Sequence, residues 1–174
     1  MADMSGEAPT PITQATHETR TPPTLALWRR LASKPGGKRL FSTAISLKVP
    51  YFGTVLPTVR ALEPGRCEVT APKWFGVYNH IKTFHAIATC NLAEIAMGML
   101  AEATVPVTHR WLPKGMTVSY VAKAETGLRA VAELPRIPEF GSEGVELPVP
   151  VTIYDKRDKP VTEAVITVWV TPKK

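Results

Sequence analysis

The segment from Phe84 to Ala103 is the part of this chain that most limits what it can become. Its residues Ala86, Ile87, Ala88, Leu92, Ala93, Ile95, Ala96, Met97, Met99 and Leu100 cover nearly the whole circumference of a helix. That pattern belongs to a helix enclosed by other structure rather than one lying half exposed. Its uninterrupted apolar run is too short to span a bilayer, so the segment predicts a core helix. Asn91, Glu94 and Gly98 follow one another at spacings of three and four and therefore share a helix face. A carboxylate among Ala93, Ile95, Ala96 and Met97 is costly to bury unless it is hydrogen-bonded, paired or used. Gly98, one turn beyond Glu94, leaves a side-chain-sized gap that can admit a ligand. The alternative is a structural pairing of Glu94 with Arg110 or Lys82, or a contact across a subunit boundary.

The flanks predict sheet. Thr24 to Ser33 reads as a short helix, with Leu27, Trp28 and Leu31 on one side and Arg29, Arg30 and Lys34 mostly on the other, stopped by Pro35-Gly36-Gly37. It is expected to lie on the sheet as a lid, because so short an apolar face buries too little area for stable residence on a membrane. Leu40 to Val49 alternates, with Phe41, Thr43, Ile45, Leu47 and Val49 on one face, and predicts a half-buried strand ended by Pro50-Tyr51-Phe52-Gly53. Thr54 to Leu62 and Arg66 to Ala71 predict a hairpin through Glu63-Pro64-Gly65. Thr117 to Ala122, Gly127 to Leu134, Val145 to Tyr154 and Val161 to Val170 predict four more strands. Short links between successive strands imply antiparallel neighbours, and strands with one helix segregated among them imply an α+β architecture.

Length and charge narrow the function. A chain of 174 residues fits one domain. Residues 1–22 are rich in Pro, Ser and Thr, lack any aromatic, and are expected to form a disordered arm ahead of a single domain over 23–174. The start lacks the basic and apolar regions of a secretory signal, so a cytoplasmic protein is expected. Cys67 and Cys90 fit neither a disulfide framework nor a metal pattern and are expected to be reduced and packed. The formal charge is +6, and no acid occurs between Thr19 and Leu62, where Arg29, Arg30, Lys34, Lys38, Arg39, Lys48 and Arg60 lie. This favours an anionic ligand, or equally a solvated basic face. Aromatics are few and not interleaved with the basic run, which argues against nucleic acid.

Several chemistries are excluded. There is no GxSxG elbow, no phosphate loop and no HExxH pair. His80 and His85, and likewise His85 and Cys90, are five apart, which on a helix separates side chains by about 140°. What remains is Glu94 together with a helix start. The first backbone N–H groups, around His85 and Ala86, lack intrahelical partners and suit an oxyanion.

Asn79-His80-Ile81, His85-Ala86-Ile87-Ala88, Cys90-Asn91-Leu92-Ala93-Glu94 and Pro113-Lys114-Gly115-Met116 resemble the hotdog-fold acyl-CoA thioesterase superfamily, most closely its branch labelled tetrameric acyl-CoA thioesterases. In the phenylacetyl-CoA thioesterase-like branch the helix opens with His-Gly-Gly and carries an acid nine residues after the His. Here His85 and Glu94 are nine apart, and Ala86-Ile87 stands in place of the glycines, narrowing the approach to the backbone. The resemblance covers about residues 25–170 and implies a hotdog fold, an antiparallel sheet wrapped around one central helix at about 84–103, with a short N-terminal helix.

It also implies hydrolysis of an acyl-CoA thioester. Glu94 would serve as base or nucleophile, the N–H groups near His85 and Ala86 as oxyanion donors, and Asn79 or Asn91 as orienting groups. Lys82, Arg110, Lys114 and Lys123 are candidates for the CoA phosphates. No metal and no cofactor beyond the CoA of the substrate is expected. The assembly implied is a homodimer or homotetramer with sites at the subunit interface. The same fold also supports a non-catalytic acyl-CoA or lipid binder, and hydratase or dehydratase chemistry on acyl thioesters.

Overall fold

A helix that is apolar all round needs walls on most sides, and the strands supply them. The computed structural model describes residues 20–174, so the arm expected over residues 1–22 lies outside the described residues as far as Thr19. Helix α3 (Ala86–Thr104) lies against a six-stranded antiparallel sheet. The strands are β1 (Thr58–Glu63), β2 (Arg66–Ala71), β3 (His109–Tyr120), β4 (Leu128–Glu133), β5 (Val145–Tyr154) and β6 (Pro160–Pro172). Their spatial order is β1-β2-β4-β5-β6-β3.

The inner face of the sheet carries Val59, Val69, Ala130, Val151 and Ile166, which share one core with Leu92, Ile95, Ala96 and Leu100 of α3. Each such fully buried Leu or Ile contributes about 1.5–3 kcal/mol relative to exposure. Strand β5 keeps the predicted period of two, with Leu147, Val149, Val151 and Ile153 buried. Helix α3 is long and apolar enough to cross a membrane by composition, but 67% of that stretch is buried inside the fold.

The turns sort to two ends. At one, the Phe84 N–H donates to Ala124 O at 2.8 Å and the His85 N–H to Val77 O at 2.7 Å, which sets the start of α3 beside the β3–β4 connection. At the other, the Gly65 N–H of the β1–β2 turn donates to Thr104 Oγ1 at 2.8 Å, at the last turn of α3.

Two helices, α1 (Pro23–Ala32) and α2 (Gly37–Lys48), pack on each other and on β1, and α1 also packs on α3. The strand expected over Leu40 to Val49 is thus a helix. Phe41 and Ile45 are four apart, a spacing that satisfies a helical face as well as an alternating one. The deciding positions are the others: Ser42 is buried, whereas Thr43 and Leu47, which alternation would bury, are exposed, Leu47 at 77%. Gly36 enters α2 at φ +72°, a left-handed conformation that glycine adopts without strain. Residues Pro50–Val55 then form a 3₁₀ turn, so the strand expected from Thr54 begins only at Thr58.

Ser42 ties this helix to the sheet. Its Oγ donates to Lys38 O at 2.7 Å and accepts the buried Val59 N–H at 2.9 Å. Ser42→Ala leaves that N–H without an acceptor and is expected to lower the unfolding free energy by about 1–3 kcal/mol. Urea unfolding measures this, and an unchanged midpoint would mean the bond contributes nothing.

Candidate functional site

The wall around α3 stops at β3. Among the described residues this strand is bonded only to β6, which leaves its other edge free and the helix face beside it uncovered. Ile87 is 56% exposed there, Cys90 is half-buried and Glu94 is exposed. Spacings of three and four place the three on one stripe. The position of that stripe is fixed by a 3.2 Å hydrogen bond between Cys90 Sγ and Tyr120 Oη at the end of β3. That bond, reinforced by desolvation, pushes the Tyr120 phenol up to about 12.

Two expectations change as a result. Glu94 is not a buried carboxylate: it keeps its water and joins no ion pair or side-chain hydrogen bond among the described residues, with Arg110 and Lys82 included. Cys90 is not packed in the core, although Cys67 is fully buried, and burial pushes the Cys67 thiol far up. The gap at Gly98 is largely filled. A Cβ there would meet the Trp111 ring at 3.5 Å, leaving a cavity of about 120 Å³ beside Met99 and Glu102.

The helix start is built by His85 as N-cap. Its Nδ1 accepts the Ile87 N–H at 3.1 Å, and its carbonyl accepts the Thr89 N–H at 3.1 Å. Since the His85 N–H itself serves Val77, the donors left without an intrahelical acceptor are those of Ala86 and Ala88. Asn79 is committed locally: its Oδ1 accepts the N–H groups of Ile81 and Thr83 at 3.1 and 3.0 Å, and its Nδ2 donates to Thr83 Oγ1 at 2.7 Å. It therefore shapes the loop before the helix. Asn91 is buried and donates from Nδ2 to Tyr51 O at 3.2 Å and Thr54 Oγ1 at 3.1 Å, while its Oδ1 finds no partner among the described residues.

The four candidate cations do not converge in one protomer. Lys82, at φ +60°, and Lys123 are exposed at the helix-start end. Arg110 lies at the opposite end of β3, ten residues from Tyr120 and so on the order of 30 Å away. Lys114, between them, is ion-paired with Glu146 and stands 5.3 Å over the Trp169 ring.

Tyr120 and a second helix carboxylate, Glu102, stand beside these residues without being singled out by any motif. The latter accepts from Thr24 Oγ1 at 2.7 Å and Trp111 Nε1 at 3.1 Å, binding α1, α3 and β3 together. The spacing of eight between Glu94 and Glu102 marks one helix face, which was the available signal. Among the described residues, no three His, Cys, Asp or Glu side chains gather into a metal-binding cluster.

One long helix laid against an antiparallel sheet, with an open edge strand beside the uncovered helix stripe, defines a hotdog fold. The fold recurs in solved structures. The crystal structure of a genomics target is 41% identical, with 86% of this chain and 98% of that one covered and a TM-score of 0.74. A Pseudomonas aeruginosa protein of unknown function, described as a probable thioesterase, is 22% identical over 80% of this chain and 97% of its own, with a TM-score of 0.70. A thioesterase family protein from Silicibacter pomeroyi is 17% identical over 76% and 96%, with a TM-score of 0.64. At these last two identities the likeness is one of fold. No curated protein matches the chain. The chain belongs to the family described as Domain of unknown function (DUF4442), whose model matches residues 37–170.

Proposed function

We propose that this protein hydrolyses acyl-CoA thioesters, as a dimer formed through the free edge of β3. The observation that carries the reading is Glu94, the exposed carboxylate on the uncovered stripe of an otherwise buried helix. Its oxygen takes a proton from water, the hydroxide adds to the thioester carbonyl carbon, and the tetrahedral intermediate expels the CoA thiolate, which takes up the proton. The oxyanion is received by the open N–H groups of Ala86 and Ala88, at the positive end of α3.

His85 and Asn79 act as positioning residues, the first by capping Ile87 and the second by fixing the loop. Asn91 anchors α3 to the 3₁₀ turn. Lys82 and Lys123, at the same end, are the cations for the CoA phosphates. The dimer rests on β3: Gly115 to Tyr120, beyond the bulge at Pro113, presents unpaired backbone groups, which invite a second strand. Glu94 and the N–H donors serving one carbonyl then come from different chains.

A second reading, an acyl-CoA or lipid binder without turnover, is favoured by one observation. His85 Nδ1 already occupies the Ile87 N–H, leaving fewer donors for an oxyanion. Hydrolysis assays over short, medium, long and aryl acyl-CoAs, paired with calorimetry, separate the two. Turnover with at least one class is expected, and tight binding with no turnover for any would replace the hydrolase reading with the binder.

A further inference from the structure

The basic side chains of the acid-free stretch between Thr19 and Leu62 play no part in the site above, and the fold brings some of them to the outer face of the sheet, turned away from α3. Thr58, Arg60, Thr70 and Arg129 alternate with the buried Val59, Val69, Leu128 and Ala130 and so face outward. There Arg39, Arg60, Lys73, Arg129 and Lys156 line a groove of about 590 Å³. Its two carboxylates are engaged. Asp158 accepts from Arg129 Nη2 at 2.7 Å, and Asp155 accepts the N–H groups of Arg157 and Lys159 at 2.8 and 3.0 Å across the β5–β6 turn. A neighbouring hollow of about 370 Å³ adds Lys34 and Lys38 and shares Arg39 and Arg60, so the positive lining is continuous.

The groove is partly built in advance. Thr70 Oγ1 donates to Thr58 O at 3.3 Å and accepts from Arg60 Nε at 2.8 Å, which holds the guanidinium while its terminal nitrogens have no acceptor among the described residues. Lys38 Nζ donates to the Arg60 carbonyl at 2.7 Å and braces the same segment from α2. An arginine fork so held, flanked by a second arginine and by lysines, matches several phosphate oxygens at once. A concave surface with this excess of cations concentrates anions in it. Among the described residues no aromatic ring lines the groove, so successive nucleic-acid bases have no platform there to stack on.

We propose that this groove binds a compact polyphosphate, namely the diphosphate of a nucleotide. Arg39 and Arg60 grip the two phosphates, and Lys73 and Lys156 close over them. Two sources share that chemistry: a free nucleotide, and the diphosphate carried by CoA. The proposal does not depend on thioester hydrolysis, because it is read by binding alone.

Calorimetry of the full chain at low salt with pyrophosphate, ADP and CoA tests it. All three are expected to bind. Arg60→Ser should weaken each about tenfold, and the Arg39→Ser/Arg60→Ser pair about a hundredfold, whereas Glu94→Gln should leave pyrophosphate binding unchanged. Thermal melts confirm that the exposed substitutions leave the fold intact. ADP binding as tightly as CoA identifies a free nucleotide as the ligand. Tighter CoA binding, with a raised KM for acyl-CoA and unchanged kcat in the paired variant, identifies the head of CoA and moves its diphosphate from Lys82 and Lys123 to this groove. Absence of pyrophosphate binding at millimolar concentration overturns the proposal, as does affinity undiminished in the paired variant. Tighter binding of single-stranded oligonucleotides, growing with their length, would overturn it in favour of a nucleic-acid surface.

Discussion

Replacing Glu94 by Gln is expected to reduce kcat for acyl-CoA hydrolysis about a thousandfold while leaving the melting temperature within about 1 °C of the wild type. The size follows from removing a proton acceptor from the transition state, which ordinarily costs between a hundredfold and ten-thousandfold. The silence in stability follows from exposure. Glu94 has no partner among the described residues, and the amide keeps the same shape in the same water. Because the donors of Ala86 and Ala88 are untouched, KM should change little, so the loss falls on kcat. Cys90→Ser is the companion measurement. It keeps a hydrogen bond to Tyr120 and should retain most activity, since Cys90 lies on the same stripe but holds no role as base. Wild-type turnover in Glu94→Gln would remove the carboxylate from the reaction.

Gly37→Ala carries the largest expected cost in stability. A Cβ at this position would stand 1.8 Å from the Leu31 carbonyl oxygen and 2.7 Å from its carbon, both backbone atoms. No side chain can swing aside to relieve such a contact, so α1 and α2 must part. That separation disturbs the buried edge-to-face pair of Trp28 and Phe41, whose rings lie 5.2 Å apart. The expected loss is about 3 kcal/mol, or roughly 6–12 °C in the melting temperature of a chain this size. A loss below about 1 kcal/mol would show that the corner between the helices yields freely. Gly98→Ala is the contrast, because the added methyl meets Trp111 at 3.5 Å, an ordinary contact.

The central helix was legible because residues such as Leu92, Ala96 and Leu100 spread around its whole circumference, and only an enclosed helix tolerates that. Strand β5 was legible to the residue, since turns bound it and its alternation is strict. Helix α2 was not. Its buried residues Phe41 and Ile45 fit both periods, and the choice lay in Thr43 and Leu47, whose exposure depends on what packs above them. The nature of Glu94 escaped for a related reason. A sequence shows that a helix is apolar, but not where the surrounding sheet ends, and the gap beside β3 is what gives this carboxylate its water. Tyr120 could be placed against Cys90 only once the register of β3 on β6 was known. The basic run was visible as charge, whereas its concave shape comes from strands and a helix far apart in the chain.

The latch at Glu102 bears on how far the packed unit extends. The match to the family model starts at residue 37, yet Thr24 lies well before it and bonds a carboxylate in the last turns of the central helix. Leu25 and Trp28 are buried in the same core. A chain cut at the family boundary would leave Glu102 with Trp111 alone and bare the apolar floor beneath α1. The stretch matched by the family model is therefore shorter than the stretch this fold packs together, and a truncation at residue 37 would cut through the core.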